Sequence, residues 1–185
     1  ADALPALLDA EPSVADVWSL TPTQQGMLYH ARAADASAGV YLEQIVAEIE
    51  GECDAALLER AWSHVYARHD ALRASFAWRG LDEPVQRVHA PQPLALDTRE
   101  IGAHDDPERA LAAFLAKDRA LGLDLARPPL MRITLLRRGG APWRLVWTHH
   151  HALLDGWSMA ILLGEVAHCY AAFAAARAPE LPAAP

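Results

Sequence analysis

Residues 143–158 constrain this chain more than any other stretch. Trp143-Arg144-Leu145-Val146-Trp147 is a run of β-formers, Thr148-His149-His150-His151 follows directly, and Gly156 opens a segment whose apolar residues recur at helical spacing. A strand must therefore turn into a helix across Ala152–Asp155 with three imidazoles at its end. Side chains of an extended segment alternate faces, so His149 and His151 point to one side and His150 to the other. A turn of this kind holds its side chains rigidly, and chemistry is expected there first.

The rest of the chain alternates the same two periodicities. Thr21 and Pro22 read as N-cap and first residue of a helix that continues through Met27 and Leu28 to about Ala33, before a break over Ala34–Gly39. Val40 to Ile49 reads as a strand stopped by Gly51. Asp54 caps a helix carrying Leu57, Leu58, Ala61, Trp62, Val65 and Tyr66 at helical spacing to Arg68. Short strands follow at Arg73–Trp78 and Val85–His89, with a turn over Gly80–Pro84. Asp106-Pro107 opens a helix to about Leu121 with Ala110, Leu111, Phe114 and Leu115 inward. Met131–Leu136 and Trp143–His149 form a hairpin around Gly139-Gly140, and a last helix spans about Gly156–Ala176. Strands and helices interleave without regular βαβ spacing, which predicts an α/β fold with a mixed β-sheet and packed helices.

With 185 residues, 52% of them hydrophobic, the chain is large enough to bury a real core in one domain or lobe. A net charge of −8 argues against a nucleic-acid partner, which needs clustered Lys and Arg to displace counterions. The first ten residues lack a signal-peptide pattern, and no run of ~18 apolar residues is present, so a cytoplasmic protein without a membrane partner is expected. Cys53 and Cys169 form no disulfide framework or metal spacing and are expected to be buried or half-buried thiols. The chain does not start with Met and ends Leu181-Pro182-Ala183-Ala184-Pro185, which suggests a piece of a longer polypeptide.

Three segments carry a resemblance. His150-His151-x-x-x-Asp155-Gly156, continued by Trp157-Ser158, resembles the HHxxxDG motif of condensation domains in non-ribosomal peptide synthetases. Ser19-Leu20-Thr21-Pro22-Thr23-Gln24-Gln25-Gly26-Met27-Leu28-Tyr29-His30 is similar to the family's first motif, and Arg68-His69-Asp70-Ala71-Leu72-Arg73-Ala74-Ser75-Phe76 to its second. The three stand in family order and span about Val17 to Phe173. Departures, at Thr23-Gln24-Gln25 and Ala74-Ser75, remove no group with a chemical role.

The resemblance implies a chloramphenicol-acetyltransferase-like N-terminal lobe, with residues 1–16 as an upstream segment or linker, 17–177 as the lobe, and 178–185 as a Pro-rich linker toward an absent C-terminal lobe. It implies an acyltransferase that forms peptide bonds between carrier-bound thioesters, with donor and acceptor peptidyl carrier proteins and the C-terminal lobe as partners. Half a tunnel predicts little or no activity from the chain alone. Phosphopantetheine would arrive on the carriers, so no directly bound cofactor is implied. By motif position the acting imidazole is His151, whose ordinary pKa of ~6.5 suits it to accept or orient an amine proton near neutral pH. The backbone N–H of Gly156, opening a helix, could donate to an oxyanion. His150 would pack or hydrogen-bond near the loop. Asp155 would pair with Arg73 in a structural ion pair that holds His151 in place, with Arg68 as the alternative partner.

Plainer readings cover the other candidates. His30, His64, His69, His89, His104 and His168 read as core or surface residues, His149 as a strand filler, and Trp18, Trp62, Trp78, Trp143 and Trp147 as core. Gln24, Gln25 and Tyr29 lie on the first-motif helix, near the tunnel in the family. The three histidines do not read as a metal site, because strand neighbours diverge and no Cys or carboxylate set completes a sphere. The rival functions are an epimerisation domain of the same superfamily, an acyl-CoA-dependent acyltransferase with an HxxxDG site, and a non-catalytic docking module. Trp157-Ser158-Met159-Ala160, where epimerisation domains tend to show Val-Ser-Trp-Arg, favours condensation. The first two motifs argue against the acyl-CoA enzyme, and the retained motif histidine argues against the docking module.

Overall fold

A computed structural model describes residues 11–33, 39–101, 106–137 and 142–183. In chain order the elements are β1 (Val14–Ser19), α1 (Pro22–Ala33), β2 (Leu42–Ile49), α2 (Ala55–Arg68), a 3-10 turn (Asp70–Arg73), β3 (Ala74–Ala77), β4 (Val85–His89), β5 (Leu96–Glu100), α3 (Pro107–Ala120), β6 (Met131–Arg137), β7 (Trp143–His150) and α4 (Gly156–Ala174). The helices start where local chemistry dictates. Thr21 Oγ1 accepts from the Gln24 N–H at 3.2 Å while the Gln24 side chain accepts from the Thr21 N–H at 3.0 Å, a reciprocal capping box for α1. Asp54 accepts from the Ala56 and Leu57 N–H groups to start α2, and Asp106 with Pro107 starts α3.

The strands form two sheets, an antiparallel β1-β4-β3 and a mixed β2-β7-β6-β5 in which β5 and β6 run parallel. β7 is flanked by β2 and β6 and is buried on both faces. On one face Leu145 and Trp147 enter the main core with α2 and α4, and the Trp62 and Trp147 rings meet edge to face at 5.1 Å. On the other face Val146 packs with Leu111 and Leu136, joined by Phe114 and Leu115 of α3. A strand clamped between helical layers is a rigid base for the turn that follows it.

Four observations differ from the expectations. First, β1 and β5 are strands for which the sequence pattern gives no signal. β5, Leu-Asp-Thr-Arg-Glu, shows no apolar alternation and is held by its parallel pairing with β6. Second, Trp18 is not core: β1 is an edge strand of the small sheet, and the indole stays 37% exposed while its Nε1 donates to Asp16 at 2.8 Å. Third, β1 pairs with β4 from Val14 onward, and Arg87 forms an ion pair with Glu11. Fourth, α4 is long and apolar enough by length and composition to cross a membrane. Here Leu162, Val166, Cys169 and Phe173 of α4 are buried in the core, Glu165 pairs with Arg68 and His69, and Trp157 and Ile161 stay exposed. The expected turn at Gly139-Gly140, residues 34–38 of the expected break, and His104 lie outside the described residues. Cys53 is half-buried and Cys169 buried, both as free thiols.

Candidate active site

β7 runs antiparallel to β2 with His149 opposite Glu43 and His150 opposite Leu42. As alternation requires, His149 and His151 share a side, and one carboxylate meets both. Glu43 Oε2 lies 3.1 Å from His149 Nε2, and Oε1 lies 3.3 Å from His151 Nδ1. The two rings differ sharply in access. The His149 side chain is 0% exposed and lies 4.7 Å from the Trp147 ring, whereas that of His151 is 34% exposed. Burial lowers the pKa of His149 below the ordinary imidazole value, although Glu43 acts in the opposite direction. His149, expected only to fill a strand position, is thus part of the cluster.

His150 turns away. Its Nδ1 accepts from the Ala152 N–H at 3.2 Å, and its ring meets Tyr41 edge-on at 6.2 Å. Burial, reinforced by His149 and His151, pushes its pKa down to about 4, so it is neutral at pH 7 and braces the loop. The backbone is tied as firmly: the His151 N–H donates to the Tyr41 carbonyl at 2.8 Å, and the Leu153 N–H to the His150 carbonyl at 3.0 Å. Tyr41 adopts the left-handed region at φ 60, a conformation costing a bulky residue ~1–3 kcal/mol. The surrounding contacts outweigh that cost, and they converge on the histidine turn.

The first motif reaches the same place. The Gln24 side-chain amide donates to the Ala152 carbonyl at 3.0 Å and to Gln86 Oε1 at 2.7 Å, linking α1, β4 and the turn. Tyr29 is exposed. Beneath the turn, Thr148 Oγ1 and the Gln44 side chain donate to buried Asp118, which also pairs with Arg132 at 2.8 Å. Burial opposes ionisation of Asp118, yet its hydrogen bonds from Arg132, Thr148 and Gln44 hold its pKa below the usual carboxylate value.

The Asp155–Arg73 ion pair is not formed. Asp155 is exposed and caps α4, accepting from the Ser158 N–H at 2.8 Å and the Ser158 hydroxyl at 2.7 Å, which lowers its pKa. Arg73, the buried last residue of the 3-10 turn, donates instead to the His89 carbonyl and to Asp70. Arg68, the alternative partner, pairs with Glu165. An acid that fits an N-cap and an arginine with two partners nearer in the chain have no need of each other. Gly156 is the first residue of α4, and a Cβ built there meets nothing within 4 Å, so the lobe itself leaves the space above it open. Sequence reasoning alone misses Glu43. Its signal is an acid next to the buried Leu42 of a strand that pairs with β7.

The family model described as Condensation domain matches residues 14–185. One of the linear gramicidin synthase proteins of Brevibacillus parabrevis is 40% identical over 171 residues, covering 91% of this chain and 2% of that protein. Bacitracin synthase 3 of Bacillus licheniformis is 39% identical over 157 residues, covering 85% of this chain and 2% of that protein. The first condensation domain of the calcium-dependent antibiotic synthetase, solved in complex with substrate analogue 2a, aligns with a TM-score of 0.81 at 28% identity, over 91% of this chain and 40% of that one. The starter condensation domain of rhizomide synthetase aligns with a TM-score of 0.80 at 25% identity, over 90% of this chain and 41% of that one. The chain thus spans less than half of either solved domain and a small fraction of either synthase.

Proposed function

This chain belongs to the condensation-domain family, and from that premise we propose that it is the N-terminal lobe of a domain joining two carrier-bound thioesters in non-ribosomal peptide synthesis. The acceptor's α-amine attacks the donor's thioester carbonyl. A C–N bond forms, the C–S bond breaks, and the proton lost by nitrogen leaves with the phosphopantetheine thiol. This aminolysis is downhill, so the domain has to align two tethered reactants and manage one proton.

The observation that carries the reading is the asymmetry of the histidine turn. Of three adjacent imidazoles two are buried, and His151 is left accessible with a carboxylate at 3.3 Å. A neutral imidazole there can take the amine proton, and its imidazolium can stabilise the tetrahedral intermediate. The Gly156 N–H, in the first residue of α4, is a second donor suited to the developing oxyanion.

The partners of this reading are donor and acceptor peptidyl carrier proteins and a C-terminal lobe reached through residues 178–185, in the cytoplasm. Because the other wall of the tunnel lies on that lobe, the chain alone is expected to form little or no amide. The test joins the chain to the sequence that follows it in its parent gene and assays amide formation between two loaded carriers. The wild type is expected to give product, and His151→Ala to lose ~10²–10⁴-fold in rate. A folded wild type that binds carriers yet makes no product would favour a docking module, and exchange of the α-hydrogen with solvent would favour epimerisation.

A further inference from the structure

Proton handling by His151 does not in itself require Glu43. Yet Glu43 enters from a different strand, sits across from His149 in the β2–β7 pairing, and divides its two oxygens between two imidazoles. We propose that Glu43 is a positioning residue for His151: its charge draws the ring proton to Nδ1 and leaves the Nε2 lone pair for the substrate amine, while His149 stands beside its other oxygen. The inference deepens the condensation reading and rests on it for the role of His151.

The Glu43 Oε1–His151 Nδ1 pair stands at ion-pair distance without hydrogen-bond alignment; a carboxylate beside Nδ1 still disfavours a lone pair there, so the ring proton is drawn to Nδ1, and in a neutral ring the other nitrogen is then the base. The two histidines are not equivalent in this arrangement. His149 is fully buried against Trp147, cannot swing, and is kept neutral by desolvation, so positive charge develops on the accessible ring. Backbone fixes the spacing as well, because the His151 N–H bonds to the carbonyl of Tyr41, two residues before Glu43. The titratable groups packed around the turn are Glu43 of β2 and Tyr41 just before it, His149 and His150 from β7, and Asp155 at the head of α4, with His30 of α1 behind Tyr41. Among the described residues, Glu43 is the anion at ion-pair distance from His151.

Nitrogen NMR of the histidine rings in this chain tests the assignment without any turnover. At pH 8 His151 is expected as the Nδ1–H tautomer, with Glu43→Gln shifting it toward Nε2–H. In the complete two-lobe domain Glu43→Gln is expected to lower kcat about 10–100-fold with KM changed less than about threefold. His149→Phe, which keeps an aromatic ring on Trp147, should move the tautomer in the same direction by less. An Nε2–H tautomer in wild type, or a Glu43→Gln variant with an unchanged tautomer, overturns the proposal. A wild-type domain that makes no amide while His151 shows the expected tautomer overturns the reaction and leaves the pairing standing.

Discussion

His150 is buried, accepts one backbone hydrogen bond through Nδ1, and sits beside two further imidazoles, so a proton on it is disfavoured in the folded chain. Its folded pKa of about 4 lies below the ordinary value of ~6.5, so between those limits the unfolded chain binds the extra proton. The stability this residue contributes is complete above pH ~6.5 and is lost as pH falls toward 4, by about 3 kcal/mol over the window. The denaturant midpoint should therefore drop between pH 7 and pH 5, and His150→Asn, which retains an acceptor for the Ala152 N–H, should flatten that drop. An equal drop in both proteins would place the acid sensitivity elsewhere. His149 shifts in the same direction and accounts for a residual slope.

At the scale of elements, the turn is secured by three neighbours rather than by a single ion pair. α1 holds the Ala152 carbonyl through Gln24, Tyr41 just before β2 holds the His151 N–H, and α4 starts on Asp155. Asp and Asn are comparable N-caps, so Asp155→Asn should leave the melting temperature nearly unchanged. Arg73→Met should destabilise by about 1–3 kcal/mol, because it strands the buried His89 carbonyl. Thermal unfolding of the two variants separates these roles, since an ion pair joining them would give similar losses. What the sequence disclosed follows from the range of each interaction. Caps at Thr21, Asp54 and Asp106 and the β-formers of β7 act within a few residues, so those elements were legible. β5 has no apolar pattern of its own and exists through β6, while Glu43 acquires its meaning only when β2 is laid beside β7 in register. The Asp155–Arg73 pairing came from resemblance, and local geometry gave each partner something nearer.

For the molecule as a whole, clamping β7 between helical layers puts a rigidly packed strand directly behind the histidines. Asp118 extends this rigidity by drawing α3, β2, β6 and β7 onto one buried carboxylate. The same layering sorts the indoles. Of the six tryptophans in the chain, Trp62 and Trp147 are 0% exposed, while Trp157, two residues past Asp155, is 85% exposed. Light therefore distinguishes core from turn without a label. The emission of Trp157 should lie at the red edge of the protein's fluorescence and be readily quenched by acrylamide, and Trp157→Phe should remove most of that component and shift the remaining band to the blue. A second lobe or a carrier settling over the head of α4 would shield this indole, so its closing could be followed as a change of colour and quenching in real time.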